Sequence, residues 1–71
     1  MLSIKEIGKQ IKERRNNLRV TQADLAVLAG VSPNTLYKIE RGQANPSVRI
    51  LFKILDVLGL QIDLKVKDIN L

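Results

Sequence analysis

The segment from Gln22 to Arg41, QADLAVLAGVSPNTLYKIER, constrains the fold more than any other part of the chain. It reads as two short helices joined at a corner. Thr21 is a good N-cap, and Asp24 follows three positions later as a weaker capping-box partner. Leu25, Ala26 and Ala29 then share one face of the first helix. Gly30 stands where a helix ends in a left-handed turn, which glycine adopts without strain. Val31 plugs the corner. Ser32 caps the next helix, with Pro33 at its first position, where no N–H is needed. Leu36, Ile39 and Glu40 lie on the inner side of that helix. Asn34, Tyr37, Lys38 and Arg41 lie outward within an arc of about 100°. Ala26 and Gly30 are small where two crossing helices need the least bulk, and Gly42 closes the unit.

This spacing is that of a helix-turn-helix, a unit that places its second helix in the major groove of DNA. That helix offers solvent an amide, a phenol, an ammonium and a guanidinium, groups suited to base edges and phosphates. Asn34 presents both donor and acceptor to an adenine edge, and Lys38, one turn on, donates to guanine. Pro33 and the Thr35 methyl suit apolar contact with thymine methyls. Tyr37, Arg41, Gln43 and Asn45 are the candidates for phosphates, with Gln22 at the N-terminus of the preceding helix. The competing reading of the same polar face is a solvated side of a small helical bundle. The joint spacing of Ala26, Gly30 and Val31 favours the first.

Seventy-one residues make one domain with a core near the lower limit for independent stability. Twelve Lys and Arg against seven Asp and Glu give a net charge of +5, which suits a polyanionic partner. With no cysteine and no histidine, the chain lacks the commonest general base, the commonest metal ligand and any thiolate site. It also shows no phosphate-cradling loop and no clustered carboxylate pair. Ser3, Ser32 and Ser47 all stand at helix starts. The expectation is therefore a protein that is not an enzyme and carries no metal and no cofactor. No window reaches the length of a membrane span, and the N-terminus lacks a secretory signal's apolar core, so the expected location is cytoplasmic.

The first helix opens on a capping box, Ser3 with Glu6. Its inward stripe is Ile4, Ile7, Gly8, Ile11, Arg15 and Leu18, with Lys5, Lys9, Lys12, Glu6 and Glu13 facing water. Arg15 is out of place on that stripe, as Glu40 is on the inner face of its helix. Two misplaced opposite charges are expected to meet in an Arg15–Glu40 pair. Gly42–Pro46 is a loop, after which Ser47 caps a fourth helix, Val48 to Leu58, ended by Gly59. That helix is apolar over about 220°, whereas one core contact needs about 100°. The surplus at Ile50, Val57 and Ile54 calls for a second apolar surface, either another subunit or the tail folded back. Leu60, Ile62, Leu64 and Val66 alternate with Gln61, Asp63, Lys65 and Lys67, which reads as a half-buried strand. A lone strand leaves its backbone groups unpaired, so it is expected to pair with the same strand of a twofold mate. The competing reading is a frayed tail, and Asp68–Leu71 is expected to be disordered.

The chain resembles the Cro and phage-repressor type of helix-turn-helix protein, also called the xenobiotic-response-element family. The resemblance rests on Thr21-Gln22, Leu25-Ala26, Ala29-Gly30-Val31-Ser32, Ile39-Glu40-Arg41-Gly42 and Pro46-Ser47, and covers about residues 3–59. It implies base contacts at Pro33, Asn34 and Lys38, a phosphate contact at Gln22 and the Arg15–Glu40 pair. Pro33 departs from the glutamine common at its position. The tail, LGLQIDLKVKD, is similar to that of HipB-type antitoxins, and this likeness implies an intermolecular ribbon. The expected fold is all-α: a four-helix, lambda-repressor-like DNA-binding domain over 1–59, with a C-terminal β-strand over 60–71 pairing across a dimer. The expected function is a homodimeric repressor that binds a palindromic double-stranded DNA operator. It would serve either as an antitoxin that also holds a toxin protein or as a free-standing regulator. The alternative from another class is a protein-interaction module of the same fold that does not read DNA.

Overall fold

The computed structural model describes residues 3–66, and four α-helices form its core: α1 (Ile4–Asn17), α2 (Gln22–Ala29), α3 (Pro33–Glu40) and α4 (Val48–Leu58). Each begins at the hydroxyl residue expected of it. The side chains of Ser3, Thr21, Ser32 and Ser47 accept hydrogen bonds from the backbone N–H of Glu6, Asp24, Thr35 and Ile50 at 3.1, 3.0, 3.0 and 3.2 Å. Each cap satisfies one of the donors that a helix start leaves open.

The helix ends share a second device. At the end of α2, Val31 N–H bonds back to Ala26 C=O and Gly30 N–H to Val27 C=O, around a left-handed Gly30 with φ 69°. The pairs Gln43–Lys38 with Gly42–Ile39, and Leu60–Leu55 with Gly59–Asp56, close α3 and α4 in the same way. α1 ends likewise through Val20–Arg15 and Arg19–Asn16, but its left-handed residue is Arg19, at φ 58°. A residue with a Cβ pays roughly 1–2 kcal/mol in that region. Arg19→Gly is therefore expected to stabilise the fold by about 1 kcal/mol, part of the relief being offset by a freer unfolded chain. Urea denaturation measures it, and an unchanged or lower midpoint contradicts it.

Ile11, Leu25, Leu36, Ile39, Ile54 and Leu58 are the fully buried large side chains, with Ala26, Ala29, Leu51 and Leu55 filling the space between them. α3 packs against α1 and α2, and α4 covers the other side of α2 and part of α1. The tightest crossing is at Gly8. A Cβ there would overlap the carbonyl oxygen of Ile39 and lie 3.1 Å from Ile39 C and 3.2 Å from Glu40 C. Small size at a crossing is thus needed at Gly8, and Ala26 is buried in the core at 1% exposure. Gly30 has open space around it and serves the turn alone.

Three expectations are corrected. Ile54 is not available to a second subunit, because it points into the core with 0% exposure. Val57 is exposed as expected, the rest of the free apolar surface of α4 lies at Val48 and Phe52, and Ile50 is half-buried against the core. Leu18 leaves the inward stripe of α1: it is the C-cap residue and 43% exposed.

The alternating tail forms no strand among the described residues. Leu60 and Ile62 turn back onto the core beside Ile7, Ile11 and Leu55, whereas Leu64 and Val66 are 94% and 98% exposed. The alternation is expressed as partial burial of its first two apolar residues, since no second strand lies beside it among the described residues. Lys67 and the Asp68–Leu71 segment lie outside the described residues, as does that part of the 60–71 segment. No helix among the described residues is long and apolar enough to cross a membrane.

Candidate nucleic-acid interface

The C-terminal end of α3 is tied to α1 and α2 through one carboxylate. Glu40, at its C-terminal end, is 7% exposed, and Arg15 of α1 is 8% exposed. Arg15 Nε donates to Glu40 Oε2 at 2.8 Å and Nη2 donates to Oε1 at 3.0 Å, a two-pronged pair. Arg15 Nη1 donates to the carbonyl of Val20 at 2.9 Å. Gln22 Nε2, at the start of α2, donates to Glu40 Oε1 at 2.9 Å. Among the described residues no buried side-chain polar atom lacks a partner. A parallel two-bond arginine–carboxylate contact fixes orientation as well as distance. The end of α1, the α1–α2 connection, the start of α2 and the end of α3 therefore meet at Glu40.

The pair expected from two misplaced charges is present. Its links to Val20 and Gln22 were not foreseen. The sequence hint for Gln22 is its place on the first turn of α2, where a long amide reaches inward as readily as outward. Its NH2 group carries two hydrogens, so one remains after the bond to Glu40. Glu40 thus orients a donor at the N-terminus of α2, where backbone N–H groups also favour an anion.

The outward side of α3 is uncovered. Pro33, Asn34 and Lys38 are exposed. Thr35 is half-buried, and its hydroxyl accepts from Ser32 Oγ at 2.7 Å. That bond turns Thr35 toward the cap, so it is less free than its neighbours. Tyr37 is 46% exposed, and the Arg41 guanidinium lies 5.3 Å from its ring centroid. This stacking pre-orders two of the expected phosphate contacts as a unit. Gln43 and Asn45 are exposed on the loop that follows. The start of α2 is tied to the end of α3 through Gln22 and Glu40, and the Gly42–Asn45 loop continues in the chain from that end.

Comparison with known proteins agrees with this architecture. A helix-turn-helix family model of the Cro and phage-repressor type matches residues 11–65. The chain belongs to that family. It is 39% identical over 54 residues to an uncharacterized HTH-type transcriptional regulator of Methanocaldococcus jannaschii, covering 76% of this chain and 82% of that protein. A protein of Methanococcus vannielii named as an HTH-type transcriptional regulatory protein is 38% identical over 64 residues. Those residues cover 90% of this chain but 19% of that protein, so the chain spans about a fifth of such relatives. Among solved structures, the restriction-modification controller protein C.AhdI of Aeromonas hydrophila superposes with a TM-score of 0.77 at 28% identity. The match covers 82% of this chain and 88% of that one.

Proposed function

We propose that the protein is a DNA-binding transcription regulator that docks α3 in the major groove. The observation that carries this reading is the uncovered pair Asn34 and Lys38 on a helix whose position the buried Glu40 network fixes. In this reading Pro33, Asn34, Lys38 and the Thr35 methyl meet base edges. Gln22, Tyr37, Arg41, Gln43 and Asn45 meet the phosphates on either side. Base contacts select sequence, and phosphate contacts set register.

The reading extends to a homodimer on a near-palindromic operator, with recognition helices about 34 Å apart. Its support is the apolar surface left open at Phe52, Val57, Leu64 and Val66, together with a tail whose alternation has no partner strand among the described residues. Occupancy of such an operator would block transcription. An antitoxin role rests on the tail alone, and it requires a second protein retained in stoichiometric amount through purification.

Two substitutions test the docking. Lys38→Ala is expected to weaken binding by about 1–3 kcal/mol and to relax base choice at one position. Gln22→Ala is expected to weaken binding to all duplexes evenly, since it removes a phosphate contact while the two bonds from Arg15 keep Glu40 anchored. Fluorescence anisotropy titrations on selected and random-sequence duplexes measure both. If neither variant differs from the parent protein, α3 does not dock as described. A protein-interaction module of the same fold would show no salt-dependent binding to duplex DNA at all.

A further inference from the structure

The exposed lysines of α1 are left unused by the docking described above. Lys5, Lys9 and Lys12 recur at the helical spacing that places them on one face. Together with Arg41 at the end of α3 they line a single open groove, whose other charged members are Glu6 and Glu40. Glu40 contributes little to the groove's potential, because its two oxygens are taken by Arg15 and Gln22. Four cations therefore face one free carboxylate.

The groove is joined to the reading surface in two places. Arg41, stacked on Tyr37, belongs to both. At the other, the loop after α3 is seated on Lys5: a Cβ at Gly42 would meet Lys5 Cα at 2.9 Å, Cβ at 3.0 Å and Cγ at 3.1 Å. Gln43, the next residue, is one of the expected phosphate contacts. The stripe thus continues the phosphate-facing edge of α3 and its loop along the first two turns of α1, from Lys5 to Lys12.

We propose that the Lys5–Lys9–Lys12 stripe, with Arg41, is a second phosphate-binding track that takes duplex DNA flanking the half-site read by α3. This rests on the DNA-binding reading and adds to it a sequence-independent contact outside the bases that α3 can reach. A row of flexible ammonium groups suits a phosphate chain, which needs charge at intervals rather than fixed hydrogen-bond geometry. Each phosphate neutralised releases condensed counterions, so the track contributes to the salt dependence of binding and not to base choice.

The test compares the double variant Lys9→Gln, Lys12→Gln with a control of equal charge change, Lys53→Gln, Lys65→Gln, on α4 and the tail. Glutamine keeps helix propensity and most of the side-chain length. Binding of each protein to a selected duplex and to a random-sequence duplex is followed by anisotropy across a series of KCl concentrations. The Lys9, Lys12 variant is expected to flatten the slope of log K against log salt by about 2 on both duplexes, leaving the preference between them unchanged. The control is expected to keep the parent slope. The proposal is overturned if the two variants give the same slope, or if the loss falls on the selected duplex alone. It is also overturned if the α1 stripe serves an acidic protein, since the parent slope is then retained. If the parent protein itself binds no duplex in a salt-dependent way, the underlying DNA-binding reading fails, and this result is distinct from the others.

Discussion

Glu40→Ala is expected to lower the free energy of unfolding by about 3–5 kcal/mol, the range for breaking a buried ion pair from one side. The loss comes from what is stranded rather than from the pair's net attraction. Arg15 keeps its charge in a site where it is 8% exposed, with only the Val20 carbonyl left to it. Gln22 loses the acceptor of its amide. A domain of this length has roughly 4–10 kcal/mol of stability in all, so the variant is expected to be partly unfolded at moderate temperature. The double variant Arg15→Met, Glu40→Leu removes both charges and is expected to be less damaging than Glu40→Ala. It still leaves the Val20 carbonyl without its donor. Urea denaturation of the parent, Arg15→Met, Glu40→Leu and the double variant gives the coupling directly. Additive losses would mean that the pair does not hold the helices together.

Gly8→Ala is expected to cost about 2 kcal/mol, even though alanine is the better helix former by nearly 1 kcal/mol. The new Cβ meets backbone, the carbonyl of Ile39 and the adjoining peptide of Glu40, and neither can rotate aside. α3 must move away from α1, or α1 must bend. Either response displaces the anchor at Glu40, so affinity for DNA is expected to fall together with stability. Gly8→Val is expected to exceed Gly8→Ala in both effects. A Gly8→Ala protein with an unchanged or raised denaturation midpoint would show that the crossing at Gly8 is not close.

The elements legible in the sequence were those set by local chemistry. All four N-caps are hydroxyl residues followed by apolar periodicity, and the hydrogen bonds fall where that pattern places them. Three helix ends are marked by glycine. The end of α1 is not, because Arg19 accepts a left-handed backbone that its residue type does not advertise. The Arg15–Glu40 pair was legible because each charge broke an apolar stripe. Gln22 broke no pattern, and its bond to Glu40 depends on how α2 is set against α3.

Tertiary packing decided the rest. Eight apolar residues on α4 showed that a surplus existed but not which of them the core would take. α4 packs against α1 and α2 with Ile54 at 0% exposure and Phe52 at 49%. The tail makes the same point. A period of two states which residues share a side, and it forms a ladder only when a second backbone lies beside it. In a single protomer Leu60 and Ile62 pack half-buried against the core and Leu64 and Val66 stay in solvent. On the outer side of α3, the residue types suggested the contacts, and their exposure keeps Pro33, Asn34 and Lys38 available.

The most direct measurement is a selection of duplexes from a random pool by the purified protein, read by sequencing over successive rounds. Docking of a twofold-related pair of α3 helices predicts an enriched inverted repeat whose half-sites lie 10–10.5 base pairs apart, about one turn of B-DNA. It further predicts that Lys38→Ala blurs one position in each half and leaves the spacing intact. A pool that stays random through every round, while the protein remains folded, would contradict the claim that this surface reads DNA.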